Sequence, residues 1–151
     1  MERKKNIFDK IGSLIPGYIG YTERDSRRVC DQKIRKEIEN NLLSFEKQII
    51  RIIQRESGKK SIMELDSLRK SLETSASKIR NTTYGESSFF SDNIIANDEL
   101  TKIYLFDLDI KERVNLLKTL INKKNWTKMI GDIESLRTQI EERNRFIRRF
   151  N

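Results

Sequence analysis

From Thr22 to Glu56 the apolar residues Val29, Ile34, Ile38, Leu42, Phe45, Ile49 and Ile52/Ile53 recur mostly at steps of three and four. That spacing draws one face of a helix rather than of a strand. Arg, Lys, Glu, Gln and Asn fill the places between and suit a face turned to water. Thr22 is read as the N-cap, with Glu23 and Asp25 in the first turn, where the helix dipole favours negative charge. Ser57-Gly58 is read as the stop, because Gly accepts the left-handed conformation at a helix end. A rod of this length cannot bury its stripe alone, so the pattern predicts partner helices.

The same spacing predicts those partners. Ser61-Ile-Met-Glu64 fits a capping box, and Leu65, Leu68, Leu72, Ala76 and Ile79 then mark a helix to about Asn81. Thr82–Asn93, rich in Ser, Thr and Asn, reads as a loop. Phe89-Phe90 within it are either buried against the bundle or offered as a docking knob. Asn97 followed by Asp98 and Glu99 caps a helix to Asn122, with Ile103, Ile110, Val114, Leu117 and Ile121 on its inner face. Asp107 falls near that stripe, so it must pair with an Arg, a Lys, a Tyr hydroxyl or a backbone N–H of another helix. After a polar turn, Ile130, Ile133, Leu136, Ile140, Phe146/Ile147 and Phe150 predict the last helix. The expected fold is all-α: an elongated antiparallel four-helix bundle, helices roughly 22–57, 62–81, 97–122 and 126–150, in a single domain over 1–151.

Ahead of the bundle, residues 1–21 form a short helix and a Tyr/Gly turn. Ile7, Phe8, Ile11, Leu14 and Ile15 line one face of that helix, which either caps the bundle or lies on a membrane with Arg3, Lys4 and Lys5 near lipid phosphates. Pro16-Gly17-Tyr18-Ile19-Gly20-Tyr21 ends it in a tight turn. Tyr18 and Tyr21 either pin this turn to the bundle end or serve as a recognition loop. Arg24, Arg27 and Arg28 follow at once. They form either intrahelical ion pairs or a basic patch beside the tyrosines, able to grip a carboxylate or phosphate.

The stretch Ile11–Arg28, with P-G-Y-x-G-Y at Pro16–Tyr21, then Arg27-Arg28 and the acid Asp31, resembles the opening of a group of small uncharacterised bacterial helical-bundle proteins. The resemblance covers about a fifth of the chain. It implies a bacterial bundle protein and supplies no catalytic residues.

Composition narrows the chemistry. The 151 residues contain no His and one Cys. Triads that need His are therefore excluded, as is the Glu-x-x-His motif of di-iron bundles. Cys30 has no second ligand at metal-site spacing and lies beside the apolar face, as a buried thiol would. Gly17-Tyr-Ile-Gly20 lacks the Lys-Ser/Thr of a phosphate loop. No cofactor or metal ligand set is indicated, and an enzyme is disfavoured, although a site of carboxylates or lysines alone needs no motif. No apolar run is long enough to span a membrane, and no secretory signal is seen, so a cytoplasmic and at most membrane-peripheral protein is expected.

The formal charge of +8 permits attraction to nucleic acid or anionic membrane, but the acids are interspersed. The leading expectation is a non-enzymatic scaffold or adaptor that binds another protein through Tyr18, Tyr21, Arg24, Arg27 and Arg28. The alternative is a peripheral membrane or nucleic-acid binder. It would use the basic ends, above all Arg145, Arg148 and Arg149 with their interleaved aromatics.

Overall fold

The computed structural model describes residues 2–56, 58–91 and 94–150. Within them the chain is helical, without a strand: α1 (Glu2–Leu14), α2 (Arg24–Arg55), α3 (Lys59–Arg80), a 3-10 turn at Ser88–Phe90, α4 (Asn97–Asn122) and α5 (Trp126–Arg148). α2 is the longest at 32 residues, about 48 Å of rod. α2 packs on α3 and α4, and α5 packs on the same two, so the four long helices close a ring, with α1 added on α4.

The helix ends differ from the sequence expectation in detail. Glu23, not Thr22, is the N-cap of α2, and it makes no side-chain cap bond. α3 begins at Lys59 behind Gly58, so Ser61 is helical and forms no capping box. Gly58 has φ −89°, extended rather than left-handed. Ser57 lies outside the described residues, as do the side chains of Arg3, Lys4 and Lys5. Asn97 is the first residue of α4, behind Ala96, and Glu99 Oε1 accepts from the Ala96 N–H at 3.4 Å. Asn125 caps α5 with its side chain.

The buried apolar residues form one cluster that runs from Ile11 and Ile15 through the four long helices to Phe146 and Ile147. Val29 and Ile130, expected inside, are exposed. On α2 the inner places go to Arg27, Cys30, Asp31 and Ile34, which turns Val29 outward. On α5 the stripe is Met129, Ile133 and Leu136, one place out of phase with Ile130. Phe89 is fully buried and Phe90 packs half-buried beside it. Ile11 and Ile15 are buried in the core, so α1 lays its apolar face on the long helices.

Candidate functional site: a buried polar centre beneath the tyrosine turn

Gly20 decides how the turn between α1 and α2 meets α4. Its φ is +88°, and a Cβ there would lie 2.6 Å from a Phe8 ring carbon and 2.8 Å from the Tyr104 hydroxyl. Only glycine allows that approach without displacing a neighbour. The turn therefore sits against α4, the Tyr21 N–H donates to Tyr104 Oη at 3.0 Å, and both turn tyrosines point inward.

Their hydroxyls meet Asp107, which is fully buried on α4. Tyr18 donates to Asp107 Oδ2 at 2.7 Å, and Tyr21 donates to the same oxygen. From α5, Arg143 Nε donates to Asp107 Oδ1 at 2.6 Å. The other guanidinium nitrogens carry the network on. Nη2 donates to Tyr21 Oη and pairs with Asp31 Oδ1, both at 2.9 Å, while Nη1 donates to Tyr84 Oη at 3.0 Å. Tyr84 in turn donates to Asp31 Oδ1 at 2.6 Å, and Arg35 Nε binds Asp31 Oδ2 at 3.0 Å. Two carboxylates thus face two guanidiniums, and three tyrosine hydroxyls join them.

Arg27, also buried, is used differently. Its guanidinium donates to the backbone carbonyls of Tyr21, Phe89 and Ser91 at 2.9–3.3 Å. It ties the turn before α2 to the loop that carries Phe89.

This environment fixes protonation states. Burial first, then the Asp107 charge, hold the Tyr18 and Tyr21 hydroxyls well above the usual tyrosine range. Burial also raises Tyr84, to about 12. Burial and then Asp107 push the Cys30 thiol up to about 11, which keeps it from acting as a thiolate near neutral pH. Burial works against the Arg143 charge. It is the largest single influence, but Asp107, Tyr21, Tyr84 and Asp31 together outweigh it and hold the guanidinium protonated. Such a centre has donors and acceptors matched to each other. A hollow of about 220 Å³ lined by Asp31, Arg35 and Tyr84 among others reaches only its rim.

The turn motif is accordingly spent inside the molecule. Tyr18, Tyr21 and Arg27 are buried, which corrects the expectation that they present a contact face. Of that set only Arg24 and Arg28 are exposed. Arg24 pairs with Asp25 at 3.1 Å, and Arg28 lies 5.0 Å over the Phe90 ring. Arg145, Arg148 and Arg149 are exposed at the end of α5. Arg148 binds Glu141 at 3.2 Å and the Thr83 carbonyl at 3.3 Å, and Arg149 lies 5.1 Å from the Phe146 ring centre.

Asp107 finds the tyrosine and arginine partners its position demands. Sequence reasoning missed Asp31, Tyr84 and Arg143 as members of this centre. A signal existed for two of them: Asp31 lies three before Ile34, and Arg143 lies between Ile140 and Ile147 at steps of three and four.

Among the described residues no cluster of three or more Cys, Asp or Glu could hold a metal ion, and no helix is long and apolar enough to cross a membrane. Comparison of the chain with protein-family models, curated proteins and solved structures finds no match.

Proposed function

We propose that this is a non-enzymatic interaction protein of a bacterial cytoplasm, and we read its ring of long helices as an elongated antiparallel four-helix bundle with α1 as a short addition. Short links between α2 and α3 and between α4 and α5 support the antiparallel order. The resemblance of residues 11–31 to small bacterial bundle proteins agrees with it.

The observation that carries the functional reading is the outer side of α2. There Val29 is 42% exposed among the exposed Arg24, Arg28, Lys33 and Lys36. Val29, Lys33 and Lys36 share one helical face by their steps of four and three. They border a hollow of about 430 Å³ that Arg80 closes from α3. A small apolar anchor ringed by cations suits an acidic protein surface, with the charges steering encounter.

The test is affinity capture from a bacterial host with the wild type and with an Arg28→Glu/Val29→Asp/Lys33→Glu variant, each checked for unchanged unfolding. Partners lost in the variant, and weakened in wild type as salt rises above about 0.15 M, are the expected result. Identical partners at equal strength remove this face.

A second reading rests on Arg145, Arg148 and Arg149, which are exposed, with the buried Phe146 ring under Arg149. It makes the end of α5 an anionic-membrane or nucleic-acid contact. Vesicle flotation and a nucleic-acid shift assay at about 50 mM salt, where screening is weak, decide it: no binding in either ends that reading.

A further inference from the structure

Arg137 of α5 bridges to α3. Its Nε donates to Ser75 Oγ at 2.9 Å and its Nη2 to the Ser71 carbonyl at 3.3 Å. Beyond this bridge α3 and α5 leave a groove of about 590 Å³, bounded by residues 75–83 and 137–148. That volume falls within the range of about 300–1,000 Å³ typical of small-ligand sites.

Four cations line it, Lys78, Arg137, Arg145 and Arg148, against one acid, Glu141. Arg137 is engaged by the bridge, and Arg148 and Glu141 hold each other. Lys78 and Arg145 make no ion pair among the described residues. Their charge is available to an anion.

Asn144 makes the groove more than a basic surface. It is 6% exposed, it lines the groove, and its side-chain amide has no hydrogen-bond partner among the described residues. The residue is buried but its amide atoms are not sealed off: the one buried side-chain polar atom without a partner among the described residues is Asp132 Oδ2, so the Asn144 amide keeps an edge open to bonding. Neighbouring Arg143 goes inward to Asp107 and Arg145 goes outward to solvent, so Asn144 stands between core and groove. It lines the groove on one side and a small inner hollow beside Ile79, Ile140 and Arg143 on the other. Thr82, Thr83 and Thr138 add hydroxyls along the wall.

We infer that the α3/α5 groove binds a small ligand carrying a phosphate group. The Asn144 amide N–H, Lys78 and Arg145 donate to the phosphate oxygens, and the threonines face the ligand's polar remainder. A fixed neutral donor sets the position, and flexible cations supply the charge-assisted bonds. This site is independent of the α2 contact face.

The probe is inorganic pyrophosphate, titrated into the full chain at about 100 mM salt and followed by backbone and side-chain amide NMR. Saturable shifts are expected at residues 78–83, at 144–148 and at the Asn144 side-chain amide. Asn144→Leu is expected to weaken binding about tenfold, as loss of one hydrogen bond to a charged group does. Because Asn144 is buried, a second variant guards against misfolding: Lys78→Gln/Arg145→Gln, both exposed, should lose affinity at least as strongly with an unchanged unfolding midpoint. Arg28→Glu should change nothing. Vesicles of phosphatidylcholine with phosphatidic acid form the second arm. Vesicle binding that pyrophosphate displaces supports the site and identifies a lipid headgroup as the phosphate source. Pyrophosphate binding without vesicle binding supports it with a free ligand. The inference is overturned by shifts spread equally over all exposed cations, by affinity unchanged in both groove variants, by vesicle binding without pyrophosphate binding, or by binding in neither arm.

Discussion

The two ends of the molecule are held by different forces. Where α2 passes to α3 and α4 to α5, the interior is apolar: Phe45, Ile49, Leu65, Leu68, Leu117, Ile121 and Met129 are buried. At the other end Tyr18, Tyr21, Asp107, Asp31 and Arg143 occupy equivalent depth. Apolar packing is proportional to area and weakly directional, so it accepts any good fit. The polar centre is directional. It demands that two loops and three helices arrive in one register, since each unmade bond there leaves a buried group uncompensated. The contrast reaches Asp132, near the start of α5. Its Oδ1 accepts from Arg113 at 3.2 Å while its Oδ2 is buried with no partner. At the polar end the carboxylate oxygens of Asp31 and Asp107 are all engaged.

Removing one charge from the polar end should have the largest effect. Asp107→Ala leaves Arg143 and two tyrosine hydroxyls without their main acceptor. Its expected cost is about 3–5 kcal/mol, that of breaking a buried pair from one side, measured by urea unfolding. Adding Arg143→Met should restore part of the loss, because the charges then leave together. A double variant that costs the sum of the singles would show that the two residues act separately.

Alkaline pH should separate the ends next. Tyr84 and Cys30 have folded pKa values raised to about 12 and about 11, from ordinary values of 10.0 and 9.0. Both groups are proton-bound and neutral in the folded state. Their contribution is therefore whole below pH 9, and it fades between about pH 9 and 12 as the unfolded chain ionises first. A gap of two pH units is worth about 2–3 kcal/mol per group. Unfolding free energy followed from pH 7 to 12 should fall over that window, and Cys30→Ala should shallow the fall. Leu68→Ala should lower the whole curve without changing its slope. A parallel fall in Cys30→Ala would refute this role for the thiol.

Conservative swaps sharpen the contrast at smaller amplitude. Tyr21→Phe removes one hydroxyl that both donates to Asp107 and accepts from Arg143, for about 1–3 kcal/mol. Leu68→Met, also close in volume, should cost less than about 1.5 kcal/mol. Equal chemical-denaturation midpoints for the two would mean that the hydroxyl matters no more than packing. Smallest of all is Arg69→Met, on the surface between Asp66, Glu73 and Glu46. A small loss is expected in thermal melts at low salt, vanishing at high salt as screening removes the exposed pairs.

Periodicity made the helices legible. α4 runs from Asn97 to Asn122 as its pattern predicts, and the inner faces of α3 and α4 match it position by position. Asp107 on an inner stripe announced that partners must exist. Which partners it takes was hidden, because they come from the turn, the 82–91 loop and α5, and no local spacing records that meeting. Tyr18 and Tyr21 are the instructive case. A tyrosine in a Gly-rich turn is equally at home in or out, and only the approach of Tyr104 and Phe8 to Gly20 settles it. Arg143 was obscured by its company: Arg145, Arg148 and Arg149 around it give a basic tail, although its own spacing belongs to Leu136, Ile140 and Ile147. The α3/α5 groove was not legible at all, since Lys78 and Asn144 lie far apart in the chain.

The span of the Arg143 contacts has a consequence for biosynthesis. Tyr21 and Arg143 are 122 positions apart, so a ribosome adding about 5–20 residues per second leaves roughly 6–24 s between them. During that interval Asp31 already has Arg35, but Asp107 and the Tyr21 hydroxyl wait for the Arg143 guanidinium. The contacts of α2 with α3 can form early. The knot of tyrosines and acids can only be tied once α5 has been translated.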